Sequence, residues 1–172
     1  MDDVSIRLLA AGDIPAITAA FRALGWHKPA VQYERYLAEQ RCGKRTVLVS
    51  WQRTAFAGYV TVVWHSGYAP FREAGIPEIV DLNVLPRLRR RGIGSRLLDE
   101  AERLIAERSA LAGIGVGLYA DYGAAQRLYV ERGYVPDGRG LLYHGRHVAW
   151  GDTVDIDDGL ILYFTKDLRL EA

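Results

Sequence analysis

The residues best suited to chemistry lie in one stretch, residues 81–98, where arginines and glycines meet at the predicted start of a helix. Arg89, Gly92 and Gly94 stand between an apolar strand and a long amphipathic segment. A helix N-terminus offers unpaired backbone N–H groups and a partial positive charge, and glycines let an anion approach the backbone closely. We therefore predict an anion-binding site at residues 89–95, called the basic turn below.

The number of arginines supports this prediction. Cations oppose the helix dipole at this end, at a cost of a few tenths of a kcal/mol each, so a cluster here favours a bound anion. The alternative is a solvated basic turn that binds nothing. The cluster comprises Arg87, Arg89, Arg90, Arg91 and Arg96.

Two known phosphate-binding motifs are excluded by spacing. The dinucleotide fingerprint needs three glycines in the order G-x-G-x-x-G and an acidic residue at the next strand end. A P-loop needs Lys and Ser or Thr directly after its last glycine, and the basic turn has neither.

Two carboxylates, Glu78 and Asp81, lie in the predicted strand 78–85 that leads into the basic turn. An unpaired charge in a central strand is costly. Each carboxylate is therefore either a proton acceptor in a reaction or the partner of a nearby arginine or turn. Because side chains alternate along a strand, Asp81 is expected on the face opposite Glu78.

Hydrophobic periodicity predicts strands and helices in the order β-α-α-β-β-β-α-β-α-β-β, which indicates one mixed sheet with helices on both faces. Three stretches are irregular. Residues 65–77 are predicted to be an aromatic loop, either functional or packed on its own core. Strand 113–118 has glycine at every second position, so one face is bare and leaves room for a helix or a ligand. Residues 151–159 carry four aspartates.

Two motifs give the chain a resemblance to the GNAT superfamily of coenzyme-A-dependent N-acyltransferases. The basic turn matches the pyrophosphate-binding pattern Q/R-x-x-G-x-G/A. Residues 118–136 resemble the second motif of the superfamily, with Ala125, Tyr129, Gly133 and Tyr134 in register. Tyr122 replaces the usual Asn of that motif, which puts one coenzyme contact in doubt.

The resemblance implies a single α/β domain over residues 1–172, with a mostly antiparallel mixed sheet of about six to seven strands and about four helices. It implies acetyl-CoA as cosubstrate and no metal. The thioester arm is expected between two strands that splay apart, near Val84 and in 113–118. The implied cofactor-binding residues are Leu82, Asn83, Val84, Arg89, Arg90, Arg91, Gly92, Ile93, Gly94, Ser95, Tyr122 and Ala125.

The same resemblance suggests catalytic roles. Glu78 occupies a position where some members of the superfamily carry the general base, and Asp81 is the second candidate. Tyr129 matches the usual acid, which protonates the departing thiolate; a packed core tyrosine is the alternative. The expected reaction is direct attack of a primary amine on acetyl-CoA in a ternary complex. A catalytically silent acyl-CoA-binding sensor is the second interpretation.

Composition constrains the partners. The formal net charge is +1 over 172 residues, and the basic cluster is too short for a duplex-binding face, so no nucleic acid is expected. No run approaches 18 apolar residues, so no membrane span is expected and the cytoplasm is the default location.

The acidic segment 151–159 favours a small-molecule or polyamine-like amine as acceptor, with a peptide N-terminus as runner-up. The alternative is that the segment is a solvated turn. The sequence does not determine the oligomeric state, and a homodimer is one candidate.

Overall fold

The computed structural model describes the backbone of residues 4–171 and the side chains of residues 4–169; the remaining residues of the expected 1–172 domain lie outside this description. Eight strands form one sheet in the order β1-β2-β3-β4-β5-β8-β6-β7. The strands are β1 (Val4–Leu8), β2 (Arg45–Gln52), β3 (Ala55–Val63), β4 (Glu78–Val84), β5 (Leu111–Gly117), β6 (Val135–Tyr143), β7 (Arg146–His147) and β8 (Leu160–Asp167). The helices are α1 (Ile14–Ala23), α2 (Ala30–Arg41), α3 (Ala69–Ala74), α4 (Ile93–Ala106) and α5 (Gly123–Glu131).

The sheet is mixed and mostly antiparallel, as the sequence predicted. β4 and β5 form its parallel pair, and each of the other neighbouring pairs is antiparallel. The strand count is eight rather than six to seven because the chain after β6 forms a short additional strand. β6 extends from Val135 to Tyr143, and after a turn the two-residue strand β7 pairs back onto it.

The prediction of a loop over residues 65–77 was wrong in part, because this segment contains a helix that was not predicted, α3. Tyr68 and Phe71 are buried in a small cluster with Ile76 and Leu142. Gly75 ends the helix in the left-handed conformation, with φ of 65°. A helix of six residues is too short to show a helical period in the sequence. Burial of its aromatic side chains stabilises it.

β4 and β5 separate soon after they meet. Only two residue pairs, Glu78 with Gly113 and Ile79 with Ile114, are in parallel register. From Val80 to Val84, β4 pairs with β3 on one side and has no strand partner on the other within the described residues. The sheet therefore opens into a V-shaped gap towards the C-terminal end of β4.

A β-bulge at Asp81 changes which side chains share a face. Tyr59 pairs with Asn83 and Thr61 pairs with Val80, so two steps on β3 match three on β4. Asp81 takes up the extra residue with φ of 59°. Because cross-strand partners share a face, Glu78 and Asp81 both lie on the Tyr59 face, and the expectation of opposite faces was wrong.

The helices cover the two faces of the sheet. Phe21 of α1 and Tyr33 of α2 contact Tyr59 edge to face. The N-terminal end of α4 lies beside Val84, which points away from the Tyr59 face. The apolar stripe of α4 is fully buried and comprises Ile93, Leu97, Leu98, Ala101 and Ile105. Among the described residues no helix is long and apolar enough to cross a membrane.

Aromatic rings fill the bare face of the glycine-rich strand β5. A Cβ at Gly113 would lie 2.3 Å from the ring of Phe71, and one at Gly117 would lie 2.5 Å from the ring of Tyr122. At Gly115 the nearest atoms, at 3.0 Å, belong to Ile161 and Tyr163 of β8. The glycines therefore admit side chains of this chain, above all Phe71 from α3.

Candidate active site

The basic turn has the backbone geometry of an anion site. Gly92 is the N-cap of α4 and has φ of 76°. The first backbone hydrogen bond of the helix runs from Arg96 N to Gly92 O, 3.0 Å. The N–H groups of Ile93, Gly94 and Ser95 are consequently the orphan donors of the helix N-terminus.

The arginines of the cluster do not all serve this turn. Arg90 and Arg89 line the cleft described below, and the Nε of Arg89 donates to the carbonyl of Val84 at 3.1 Å. Arg96 is directed elsewhere, because its guanidinium donates to the carbonyl of Val4 at 2.7 Å. Arg96 is therefore held against β1 and does not line the cleft.

A cleft of about 1600 Å³ runs through the gap between β4 and β5. Both predicted motifs contribute to its walls, and so do all three catalytic candidates, Glu78, Asp81 and Tyr129. Of the predicted cofactor-binding residues, Arg91 and Ile93 do not line it; Ile93 is in the core, 1% exposed. Those that do are Leu82, Asn83, Val84, Arg89, Arg90, Gly92, Gly94, Ser95, Tyr122 and Ala125.

Glu78 lies at the start of β4, where β4 and β5 are still paired. The hydroxyl of Ser66 donates to its Oε2, and no donor to its Oε1 is found among the described residues. Burial raises the pKa of Glu78, against the opposing effects of the Ser66 hydroxyl and the Arg45 charge. A carboxylate with a raised pKa and one oxygen without a donor is a stronger proton acceptor than an ordinary surface carboxylate.

Asp81 has the opposite electrostatics. Burial acts to raise its pKa, but the charge of Lys28 and hydrogen bonds from Lys28, Tyr59 and Tyr36 outweigh burial and lower it. Five donors surround the carboxylate: Lys28 Nζ at 2.8 Å, Asn83 Nδ2 at 2.7 Å, Gln32 Nε2 at 3.2 Å, and the hydroxyls of Tyr36 at 3.1 Å and of Tyr59. A carboxylate satisfied in this way is a poor general base.

Tyr129 is buried in the last turn of α5, 6% exposed, and lines the cleft. No hydrogen bond to its hydroxyl is found within the described part of the chain, and the hydroxyl is not sealed off from the surface. Burial raises the pKa of Tyr129 to about 12. The phenol is therefore protonated at neutral pH and is available as a donor to a group in the cleft.

Tyr122 packs its ring over Gly117 and donates its hydroxyl to Asp158 at 2.9 Å. The hydroxyl of Tyr119 donates to the same carboxylate oxygen. Asp158 belongs to the acidic segment 151–159 and lines the cleft, so these contacts connect that segment to the β5–α5 junction.

Two of the four aspartates in the acidic segment accept hydrogen bonds from nearby parts of the chain. Asp157 accepts hydrogen bonds from Tyr143 and from the backbone of Gly159, and Asp152 accepts one from the backbone of Ala149. Asp158 alone among the four aspartates lines the cleft. The segment is therefore a hydrogen-bonded loop with one carboxylate at the site, which weakens the argument for an acidic rim.

Sequence reasoning missed the partners of the two carboxylates, namely Lys28, Gln32, Tyr36, Tyr59 and Ser66. One signal was present: Asp is disfavoured inside strands and tolerates positive φ, so Asp81 in the middle of an apolar strand indicates a bulge. Nothing local connects Asp81 to Lys28, which is 53 residues away. No group of three or more His, Cys, Asp or Glu side chains suited to a metal occurs in the described residues.

Comparison with known proteins agrees with this geometry. A model of the acetyltransferase (GNAT) family matches residues 17–134, more than half of the chain. No curated protein matches the chain in a sequence comparison.

Solved structures show the same fold at low identity. yncA from Salmonella typhimurium, determined with its cofactor acetyl-CoA, is 20% identical, with a TM-score of 0.67 over 96% of this chain and 94% of that chain. A ribosomal-protein-alanine N-acetyltransferase from Brucella melitensis is 21% identical, with a TM-score of 0.68 over 95% and 99%. A chimera of the spermidine N-acetyltransferase from Vibrio cholerae is 14% identical, with a TM-score of 0.69 over 97% and 96%.

The splayed parallel pair, the glycine turn at the start of α4 and the cleft between them are the features that the resemblance to acyl-CoA-dependent acyltransferases led us to expect. With the match to the family model, the chain belongs to the GNAT acetyltransferase family.

Proposed function

We propose that this protein is an N-acetyltransferase that moves an acetyl group from acetyl-CoA to a primary amine. One observation carries the proposal. A helix N-terminus with free N–H groups, Glu78 with a raised pKa and protonated Tyr129 all face one cleft between splayed strands. An anion site for the coenzyme, a proton acceptor and a proton donor are the groups that this transfer needs.

The pyrophosphate of acetyl-CoA would bind the N–H groups of the basic turn, with Arg90, which lines the cleft, as a cationic neighbour. Gly94 supports this placement. A Cβ there would meet Val84 Cγ2 at 3.7 Å and Leu128 Cδ2 at 4.0 Å, so a side chain much larger than a methyl group would fill this part of the cleft. The unpaired edge of β4 at Leu82, Asn83 and Val84 offers backbone groups to the amide-containing arm of the coenzyme.

Glu78 would accept the proton that the ammonium must lose before its nitrogen can attack the thioester carbonyl. The C–N bond forms, the nitrogen releases its second proton to solvent as the tetrahedral intermediate collapses, the C–S bond breaks, and the thiolate leaves. Tyr129 donates its hydroxyl hydrogen to the departing sulfur, and solvent restores the phenol. Asp81, ionised and fully hydrogen-bonded, would shape the acceptor side of the cleft rather than take the proton.

The acceptor class is a small-molecule amine, with a peptide N-terminus as the runner-up. The similar structures include one protein named for spermidine and one named for the alanine of a ribosomal protein, so the fold accommodates both kinds of amine. Asp158 at the cleft would favour a cationic acceptor. Turnover of acetyl-CoA against a panel of amines separates the two classes.

A matched pair of substitutions at Gly94 tests coenzyme binding. Gly94→Leu fills the gap between Val84 and Leu128 and should abolish binding of CoA, measured by isothermal titration. Gly94→Ala places only a methyl group at ordinary contact distance and should bind CoA as the wild type does. Gly94 is preferred to Gly92, where the φ of 76° strains any other residue and confuses the result.

Wild-type affinity in Gly94→Leu would place the coenzyme elsewhere. The second candidate function is a catalytically silent acyl-CoA-binding sensor. It would be supported if CoA binds normally and none of the amines in the panel is acetylated.

A further inference from the structure

The segment before α3 sends one polar side chain into the site. Ser66 is buried, 1% exposed, and its hydroxyl contacts Oε2 of Glu78. The backbone N–H of Tyr68 donates to Ser66 Oγ at 2.9 Å. A serine hydroxyl has a single hydrogen, and with its oxygen already accepting from Tyr68 that hydrogen is directed to the carboxylate.

The rest of the segment holds Ser66 in place. The ring of Tyr68 stacks on Tyr163 with centroids 3.9 Å apart, and its hydroxyl donates to Asp137 at 2.7 Å. The ring of Phe71 occupies the space over Gly113, the residue that pairs with Glu78 on β5. The segment is thus anchored to β5, β6 and β8 around the carboxylate.

We propose that Ser66 is a positioning residue for the reaction: it holds Oε2 of Glu78 so that Oε1 is presented to the amine. This inference rests on the proposed function, in which Glu78 takes the proton. The other charged or titratable groups that face Glu78 are Arg45 of β2 and Tyr163 of β8. Neither gives it a hydrogen bond, so Ser66 alone among the described residues fixes the carboxylate.

The hydroxyl also tunes the proton affinity of Glu78. A hydrogen bond donated to the charged form lowers the pKa of a carboxyl group, and here it opposes the rise caused by burial. Loss of the hydroxyl therefore raises the pKa of Glu78 further. The carboxylate also becomes free to rotate, which reduces kcat without a contact to either substrate.

The first test is the pH profile of kcat/KM for the wild type, Ser66→Ala, Ser66→Thr and Ser50→Ala. In Ser66→Ala the acid limb should move up by about one pH unit, because a hydrogen bond to a charged group is lost. KM for acetyl-CoA should stay unchanged. Ser66→Thr keeps the hydroxyl and should restore the limb. Ser50→Ala removes another buried serine hydroxyl, one that donates to the carbonyl of Gly58 and not to Glu78, and should leave the limb unmoved.

Glu78→Gln tests the role of Glu78 as base separately from the role of Ser66 as its positioning residue. If this variant loses the acid limb but Ser66→Ala does not shift it, the role of Ser66 is overturned and the proposed function stands. If Glu78→Gln keeps the acid limb, Glu78 is not the base, and both the mechanism and the positioning role fail.

Thermal unfolding gives a readout that does not depend on activity. Because the folded pKa of Glu78 is raised above 4.5, its contribution to stability is present below that pH and is lost as pH rises through the folded pKa. Ser66→Ala raises the folded pKa further, so its loss of Tm should be larger at pH 7 than at pH 4. An equal loss at both pH values would show a merely structural serine and would overturn the proposal.

Discussion

Glu78 and Asp81 lie three residues apart in one strand and have opposite acid–base properties. Glu78 has one donor and a raised pKa, whereas Asp81 has five donors, the partner charge of Lys28 and a lowered pKa. The bulge brings both to the same face, so the difference comes from neighbours and not from orientation. At the level of residues, the site therefore assigns the base to Glu78 and a structural charge to Asp81 in the proposed mechanism.

Tyr129→Phe tests the acid. The substitution removes one oxygen that has no hydrogen-bond partner among the described residues, so the fold should be kept. We expect kcat to fall by ~10- to 10⁴-fold with CoA affinity nearly unchanged, because the hydroxyl would act only on the leaving sulfur. Tyr143→Phe, at a tyrosine outside the cleft, is the matched control and should keep wild-type turnover. Wild-type kcat in Tyr129→Phe would remove Tyr129 as the acid.

At the level of elements, α3 and β5 depend on each other. β5 alternates glycine with Ala112, Ile114 and Val116, whose side chains are buried in the core. The glycine positions leave the space that Phe71 needs on the other face. A short helix of this kind is stabilised by its docking and not by its own hydrogen bonds.

Gly113→Ala tests this docking. The added Cβ would lie 2.3 Å from the Phe71 ring, so α3 must shift, and we expect a loss of ~1–3 kcal/mol in the free energy of unfolding. Gly123→Ala, at the start of α5 with open space around it, should instead stabilise by ~0.4–1 kcal/mol. Urea denaturation of both variants measures the difference, and equal stabilities would contradict the packing described here.

At the level of the whole molecule, a buried ionic network joins the parts of the sheet that the splay separates. Glu102 of α4 accepts hydrogen bonds from Lys166 of β8 at 2.8 Å, from Arg132 at 2.8 Å and from Tyr134 at 3.0 Å. Burial acts to raise the pKa of Glu102, but Arg132 and Lys166 outweigh it and lower the pKa. The network therefore connects α4, the end of α5 and β8, and none of its four side chains lines the cleft.

Removal of the central charge should be costly. Glu102→Gln leaves the charges of Lys166 and Arg132 without their shared carboxylate, and we expect a loss of roughly 3–5 kcal/mol in the free energy of unfolding. Glu100→Gln, on the exposed side of the same helix, breaks only pairs with Arg103 and should change stability by about 0.5 kcal/mol or less.

The pH dependence follows from the lowered pKa of Glu102. Its contribution is present above the unfolded value of 4.5 and is lost as pH falls through the folded pKa, so the deficit of Glu102→Gln should shrink in acid. Chemical denaturation at pH 7 and below pH 4 measures this, and a deficit that is independent of pH would contradict the ionic account.

The sequence by itself determined the features that depend on neighbours along the chain. The basic turn follows from Arg89, Gly92 and Gly94 beside an amphipathic helix, because capping and positive φ are local properties. The stripe of α4 and the order of strands and helices follow from hydrophobic periodicity. These local rules were sufficient to predict an anion site and a mixed sheet with helices on both faces. The GNAT fold and the place expected for the coenzyme came from the resemblance of two motifs to that superfamily.

Only the tertiary structure decided how the acceptor side is built. The bulge at Asp81 depends on register with β3, and a single extra residue reverses every later side chain of β4. Lys28, Tyr59 and Ser66 meet the two carboxylates from segments 12 to 53 residues away, and no periodicity records such contacts. Hydrogen bonding and desolvation act through space, so the raised pKa of Glu78, the proposed base, and its contact with Ser66 appear only once the strands are paired.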